Sequence, residues 1–201
     1  MDKLLEGYRR FRAQQWPERQ ATFERLAAGG QSPRAMVIAC SDSRVDPAMI
    51  FSAEPGELFV LRNVANLVPP YQPDAAFHAT SAALEFAVRV LQVKDLIVMG
   101  HAMCGGIHTL LNGAPAPAGD FLVPWMRIAE PARRRVLARS SADPQADCER
   151  ESVKLSLENL LSFPWIAQPV AQQHLRLTGM VYDIRSGVLA ILQPDGEFAA
   201  V

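Results

Sequence analysis

Three short runs, apolar at every position and bounded by turn residues, constrain this chain more than any other feature. They are Met36-Val37-Ile38-Ala39, Leu58-Phe59-Val60-Leu61 and Leu96-Ile97-Val98-Met99. A strand with one face in water alternates apolar and polar residues, whereas a strand apolar throughout is covered on both faces. Between the second and third runs, Thr80 to Leu91 places Leu84, Val88 and Leu91 on one side of a helix, and Gly105 onward reads as a helix start. Strands and helices alternating in this way predict an α/β fold, a mostly parallel central β-sheet flanked by helices.

The flanking sequence fits around that sheet. Residues 2 to 28 read as helix, with Leu4, Leu5, Tyr8, Phe11, Phe23 and Leu26 as apolar positions and Gly29-Gly30 as its end. Pro17 is expected to break this helix in two, since proline lacks the N–H that the ladder needs. Pro115 to Gly119 reads as a loop, and further helices are predicted over Val123–Ala138 and Asp147–Leu161. Leu175-Arg176-Leu177 comes next. Val181-Tyr182-Asp183 and Val188 to Ile191, split by Ser186-Gly187, read as a strand pair closing the sheet edge. With no repeat, low-complexity tract or linker, residues 1–201 read as one domain, a helical arm over 1–28 and an α/β core over 29–201.

Charge and cysteine usage exclude several classes. A formal net charge of -1 leaves no basic field for nucleic acid or an anionic membrane. The densest basic cluster, Arg133-Arg134-Arg135, lies in a polar helical stretch and reads as a solvated face. The start, Met1-Asp2-Lys3-Leu4-Leu5-Glu6, is charged and lacks the apolar core of a signal peptide, and no apolar run nears the ~20 residues that span a bilayer. Three cysteines are too few for a disulfide framework. These features together predict a cytoplasmic protein, in which such cysteines bind metal or react.

Two segments break the core-strand pattern at equivalent places. Cys40-Ser41-Asp42-Ser43-Arg44 follows the first strand, and His101-Ala102-Met103-Cys104-Gly105-Gly106 follows the third. Open α/β sheets place their sites at the carboxyl ends of parallel strands, so these segments, about sixty residues apart, can converge. Cys40, His101 and Cys104 would then supply two thiolates and an imidazole, the donors Zn²⁺ favours, with a fourth position left open as in catalytic sites. Gly105 and Gly106 allow close approach and offer N–H groups at a helix start. A buried structural cysteine or a redox pair would need neither Asp42 nor Arg44, charges that persist beside a buried strand end only when paired or metal-bound.

Cys-Ser-Asp-Ser-Arg followed by Gly-His-x-x-Cys-Gly-Gly resembles the signature of the β-class carbonic anhydrases. Arg62-Asn63-Val64-Ala65-Asn66 and Gly179-Met180-Val181-Tyr182-Asp183 match further stretches of that family. The resemblance implies zinc on Cys40, His101 and Cys104, an Asp42–Arg44 pair, and reversible hydration of carbon dioxide to bicarbonate. It also implies a homodimer or larger assembly, tetramers included, with the site at a dimer interface and the N-terminal arm packed on the partner subunit. In this reading Asp42 orients the attacking oxygen and Arg44 keeps Asp42 ionised. Gln31 and the Gly105 amide meet substrate oxygens, while Phe59, Phe86 and Val64 line an apolar pocket. Gln31 matches a pocket glutamine of the family's open, plant-like group, while Phe86 departs from the tyrosine usual in plant enzymes. The tryptophan of the bicarbonate-regulated, closed-site group is replaced by Val37, though that group's Arg62 and Tyr182 are retained, and on balance the resemblance favours the open-site subgroup. Outside the ligand set, His78 and His108 are the candidate proton carriers and Cys148 reads as a bystander. The same zinc chemistry would also serve hydrolysis of an analogue such as carbon disulfide; a non-catalytic zinc-stabilised binding protein would need neither Asp42 nor Arg44.

Overall fold

The computed structural model describes all 201 residues. Strands β1 (Ala35–Cys40), β2 (Leu58–Asn63), β3 (Asp95–His101), β4 (Arg176–Tyr182), β5 (Leu189–Leu192) and β6 (Phe198–Ala200) form one sheet in the order β2-β1-β3-β4-β5-β6. The first four are parallel, and β5 and β6 join antiparallel. As the apolar runs predict, β1 is buried at every position and β3 at all but Ile97; β2, at the sheet edge, departs from the expectation, being half-buried with Val60 exposed. Alternate residues divide between the faces: Met36 and Ile38 join Leu84, Leu96, Val98 and Phe163 on one side, and Val37 and Ala39 join Met99 on the other. The chain leaves β1 for one side of the sheet at β2, then returns to the other side at β3. The carboxyl ends of β1 and β3 therefore flank the point where strand order reverses, which is where such sheets open a crevice.

Helix α8 (Pro144–Leu160) is the main cover over β3 and β4. It starts three residues before the predicted Asp147 because Asp143 caps it, accepting from the Ala146 N–H at 3.0 Å, with Pro144 at the first helical position. Glycines let it lie close to the sheet. A β-carbon at Gly100 would sit 2.7 Å from Val153 Cγ2, and one at Gly179 would sit 2.9 Å from both Val153 Cγ1 and Leu157 Cδ1.

Several expectations need correction. Pro17 does not break the first helix: α1 (Asp2–Arg10) passes through a π-turn (Phe11–Gln15) into α2 (Trp16–Gly29). The wider turn relieves the clash between the proline ring and the carbonyl four residues back. The helix predicted over Val123–Ala138 is two, α6 (Leu122–Met126) and α7 (Glu130–Leu137), joined by a 3₁₀ turn that places Pro131 in the first turn of α7. Helix α9 (Pro164–Ala171) escapes sequence reading because Pro169 lies within it, and β6 because three residues carry no usable pattern. β4 runs unbroken through Gly179, pairs with β5 as expected, and the edge beyond β5 is closed by β6. Of the three arginines, only Arg134 is on a solvated face; Arg133 is half-buried, and Arg135 reaches the buried Glu151 at 3.1 Å.

The arm formed by α1, the π-turn and α2 buries none of its residues, and Leu4, Leu5 and Tyr8 are exposed. Its contacts with the core lie near the end, where Leu26 meets Gly56 and Arg19 pairs with Glu54 at 3.5 Å. No helix is long and apolar enough to cross a membrane.

Candidate metal centre

Cys40 ends β1, His101 ends the adjacent β3, and Cys104 caps α5 (Gly105–Asn112). One Sγ from each cysteine and one imidazole nitrogen lie within 4.8 Å of one another, and all three residues are buried. The two sulfurs are 4.0 Å apart. The His101 Nδ1–H donates to the Ala102 carbonyl at 2.9 Å, which leaves Nε2 with its lone pair. Nε2 is buried and has no hydrogen-bond partner. An orphaned imidazole nitrogen beside two sulfurs is what a tetrahedral dication such as zinc would satisfy, so the donor set fits the metal.

The electrostatics agree. Left to themselves, the two sulfurs share one proton. A hydrogen bond from Cys104 holds the Cys40 thiol well below its ordinary range despite burial, and the same bond, with burial, drives Cys104 up. Burial works against charge on His101, yet the Cys40 sulfur beside it leaves the imidazole raised overall. A dication bound among them would remove the conflict and let both thiols ionise.

Asp42 lies just beyond Cys40 and is gripped by Arg44. The Arg44 Nε and Nη2 donate to Oδ1 and Oδ2 at 2.9 and 2.7 Å, and the Arg44 backbone N–H donates to Oδ1 at 3.0 Å. These bonds, the side-chain pair first, hold the Asp42 carboxyl far below the usual carboxylate range. Arg44 Nη2 also reaches the Met103 carbonyl at 3.4 Å, tying the two loops together.

The remaining predicted site residues divide into two groups. Val64 and Gly105 lie at the carboxyl end of the sheet: Gly106, next to Gly105, packs against Val64 and Ala65 so tightly that a β-carbon there would sit 2.9 Å from each. A β-carbon at Gly105 would meet nothing within 4 Å, and its N–H precedes the helix ladder, so it faces open space with a donor to offer. The carbonyl of Val64 is fixed by the Trp125 indole N–H at 2.8 Å. Phe59, by contrast, pairs with Met36, four residues short of Cys40, roughly 13 Å back along the strand at about 3.3 Å per residue. Phe86 stacks near it with ring centroids 5.9 Å apart, and exposed Gln31 precedes β1 altogether. One copy of the chain therefore does not bring Gln31, Phe59 and Phe86 to its own Cys40.

The histidines outside the donor set lie apart from it. His78 Nε2 pairs with Asp74 Oδ1 at 2.6 Å on the wall of a cavity of about 1100 Å³ that Val64 also lines, and exposed His108 faces Asn112. Cys148 is outside the donor set, buried in the apolar cluster that also holds Cys40 and Cys104, and burial pushes its thiol up to about 11.

Two supporting groups escaped sequence reading. Arg62, noted only in a matching stretch and as a retained residue of the closed group's bicarbonate site, reaches across from β2 and donates to the Cys40 carbonyl at 3.0 Å, the Asp42 carbonyl at 2.6 Å and Asp46 Oδ2 at 3.3 Å. Glu149 is buried on α8 and accepts from the Cys104 backbone N–H at 2.8 Å. A signal existed for Glu149: it stands one helical turn before Val153 on the buried stripe, where an acid is anomalous.

Comparison with known proteins places this centre in a class. A family model described as carbonic anhydrase matches residues 35–189, a span holding the metal centre, Asp42 and Arg44, and the chain belongs to that family. Its relatives are of the β class. Beta carbonic anhydrase 3 of Arabidopsis thaliana is 36% identical over 204 residues, covering 97% of this chain and 78% of the plant protein. Among solved structures, the β-carbonic anhydrase CcaA superposes with a TM-score of 0.93 at 34% identity, covering 100% of this chain and 92% of that one. A tetrameric β-carbonic anhydrase of Sordaria macrospora gives 0.81 at 28% identity, covering 99% and 98%.

Proposed function

We propose that the chain catalyses the reversible hydration of carbon dioxide to bicarbonate and a proton, with zinc held by Cys40, His101 and Cys104. The observation that carries the reading is the three-point grip of Arg44 on Asp42 beside an orphaned His101 Nε2. A purely structural metal has no use for a fixed, ionised carboxylate at its edge. When bound, zinc supplies Lewis acidity that brings a water's pKa toward neutrality.

The chain's own residues supply the rest. An ionised carboxylate has about four acceptor positions and no donor; Arg44 uses three. The remaining one accepts the O–H of the attacking oxygen and turns a lone pair toward the carbon of carbon dioxide. Arg44, permanently charged and fork-shaped, keeps Asp42 ionised and oriented. The Gly105 N–H receives a substrate oxygen as negative charge develops on it, and Val64 walls the apolar side. With Asp42 committed to Arg44, the arrangement supports the open resting form.

Gln31, Phe59 and Phe86 act in the site of a second copy of the chain. Their place at the opposite end of the sheet supports this, as does an arm over residues 1–28 with exposed Leu4, Leu5 and Tyr8 and no buried residue. The functional unit is accordingly a homodimer or a larger assembly of dimers. Stopped-flow carbon dioxide hydration by the zinc-loaded protein across a pH series tests the reading. Turnover persisting to neutral pH is expected. Activity confined to alkaline pH would move Asp42 onto the metal at rest. A zinc-loaded protein inactive at every pH would refute carbon dioxide as substrate, and carbon disulfide turnover would then be the next measurement.

A further inference from the structure

The mechanism leaves one buried acid unused. Glu149 lies on the second turn of α8, 4% exposed, with its Oε1 facing the metal centre from behind. Its two hydrogen-bond partners are both neutral: the Cys104 N–H at 2.8 Å and the Gln145 side-chain amide at 2.6 Å. The same Gln145 nitrogen donates onward to the Cys104 carbonyl at 3.1 Å. The two side chains thus grip the backbone of Cys104 at both its N–H and its C=O.

That grip lies where the backbone most needs one. Met103, just before it, holds a left-handed conformation at φ 59°, uncommon for a residue with a side chain. This turn takes Cys104 out of β3, and α5 begins only at Gly105, so the Cys104 N–H belongs to neither ladder. A neutral acceptor would satisfy the N–H without the cost of burying an acid. A neutral carbonyl oxygen can also take two donors; what the carboxylate adds is charge, which makes both bonds shorter and stronger. Both donors here converge on Oε1.

We propose that Glu149, with Gln145, is a positioning residue of the metal centre: it fixes the Cys104 peptide so that the thiolate points at Cys40 and His101. The proposal rests on the zinc reading above. Glu149 is outside the three-donor set and reaches it through the Cys104 backbone, directly and by way of Gln145.

The test uses full-length Glu149→Ala and Glu149→Gln beside the parent protein. Zinc affinity is measured by chelator competition, and the visible spectrum of the cobalt-substituted proteins reports ligand geometry. Glu149→Ala is expected to weaken zinc binding by about 10- to 100-fold, the usual loss when a partner behind a ligand is removed, and to shift the cobalt bands. Glu149→Gln keeps an oxygen for both donors but loses the charge that strengthens their bonds and puts an amide NH₂ in place of Oε2, which has no partner, so an intermediate loss is expected. If Glu149→Ala does not fold, Glu149→Gln decides by itself. Variants that melt at lower temperature yet keep the parent's zinc affinity and cobalt spectrum would reduce Glu149 to a fold-stabilising residue and overturn the proposal. A parent protein that takes up no zinc and hydrates no carbon dioxide would bring down the underlying reading, and this one with it.

Discussion

Adding one methyl group at Gly100 should both destabilise the protein and disturb the metal centre, and removing two methyls at Val153 should repair much of the damage. A β-carbon at Gly100 falls 2.7 Å from Val153 Cγ2. Carbon atoms pack at about 3.5–4.0 Å, so the overlap is about 1 Å. Neither partner gives way easily, since Gly100 is in a central strand and Val153 is fully buried on α8. Overpacking of this kind costs about 1–3 kcal/mol, so about 2 kcal/mol is expected for Gly100→Ala. Val153→Ala alone loses two buried methyls at about 0.8 kcal/mol each plus a cavity term, again about 2 kcal/mol. In the double variant the new methyl enters the space the old ones left. It should cost about 2 kcal/mol in total where additivity requires about 4, a coupling near 2 kcal/mol. Urea unfolding of all four proteins at one protomer concentration gives the cycle, the fixed concentration holding any contribution of self-association constant. Gly100 adjoins His101, so carbon dioxide hydration should fall in Gly100→Ala and recover in the double variant. Coupling below about 0.5 kcal/mol would show that α8 does not press on Gly100 as described.

Three further outcomes are expected. Asp42→Asn and Arg44→Ala should retain zinc but lose most hydration activity, metal content and turnover being measured on the same samples; loss of the metal would contradict the roles assigned. The depressed Asp42 carboxyl stabilises the fold above its unfolded value of about 3.9, and this contribution disappears as pH falls through its lower folded value. The parent should therefore lose stability more steeply than Asp42→Asn in acid melts below about pH 4, and parallel curves would remove the effect. Cys148, with its thiol pushed up to about 11 by burial, should resist iodoacetamide in the folded protein at pH 8 and react once unfolded, which mass spectrometry would read directly.

How much of this was legible in advance follows the range of the forces involved. The buried strands announced themselves because burial on both faces dictates composition position by position, as Met36 to Ala39 illustrate. Helix limits were harder. Pro17 was expected to break a helix that a π-turn carries through intact, and Pro169 concealed one that packing sustains. Local chemistry predicts what proline does to an isolated helix, while the surrounding structure decides whether that cost is tolerated.

The site divides along the same line. Cys40, His101 and Cys104 could be picked from sequence because metal binding demands particular donor atoms, and Asp42 and Arg44 because charges at a buried strand end need an explanation. Their convergence depends only on β1 and β3 being neighbours, which the alternation of strands and helices already favours. Sequence alone does not say that Phe59 lies four residues short of Cys40, because sheet register is set by packing between segments distant in the chain. Nor does it say that Arg62 holds the Cys40 and Asp42 carbonyls or that Glu149 holds Cys104, since each bond joins residues 20 or more apart whose spacing carries no code. The sequence by itself determined which atoms can bind a metal and ionise beside it; the tertiary structure decided which groups hold those atoms in place and which of the expected pocket residues lie at the far end of the sheet from them.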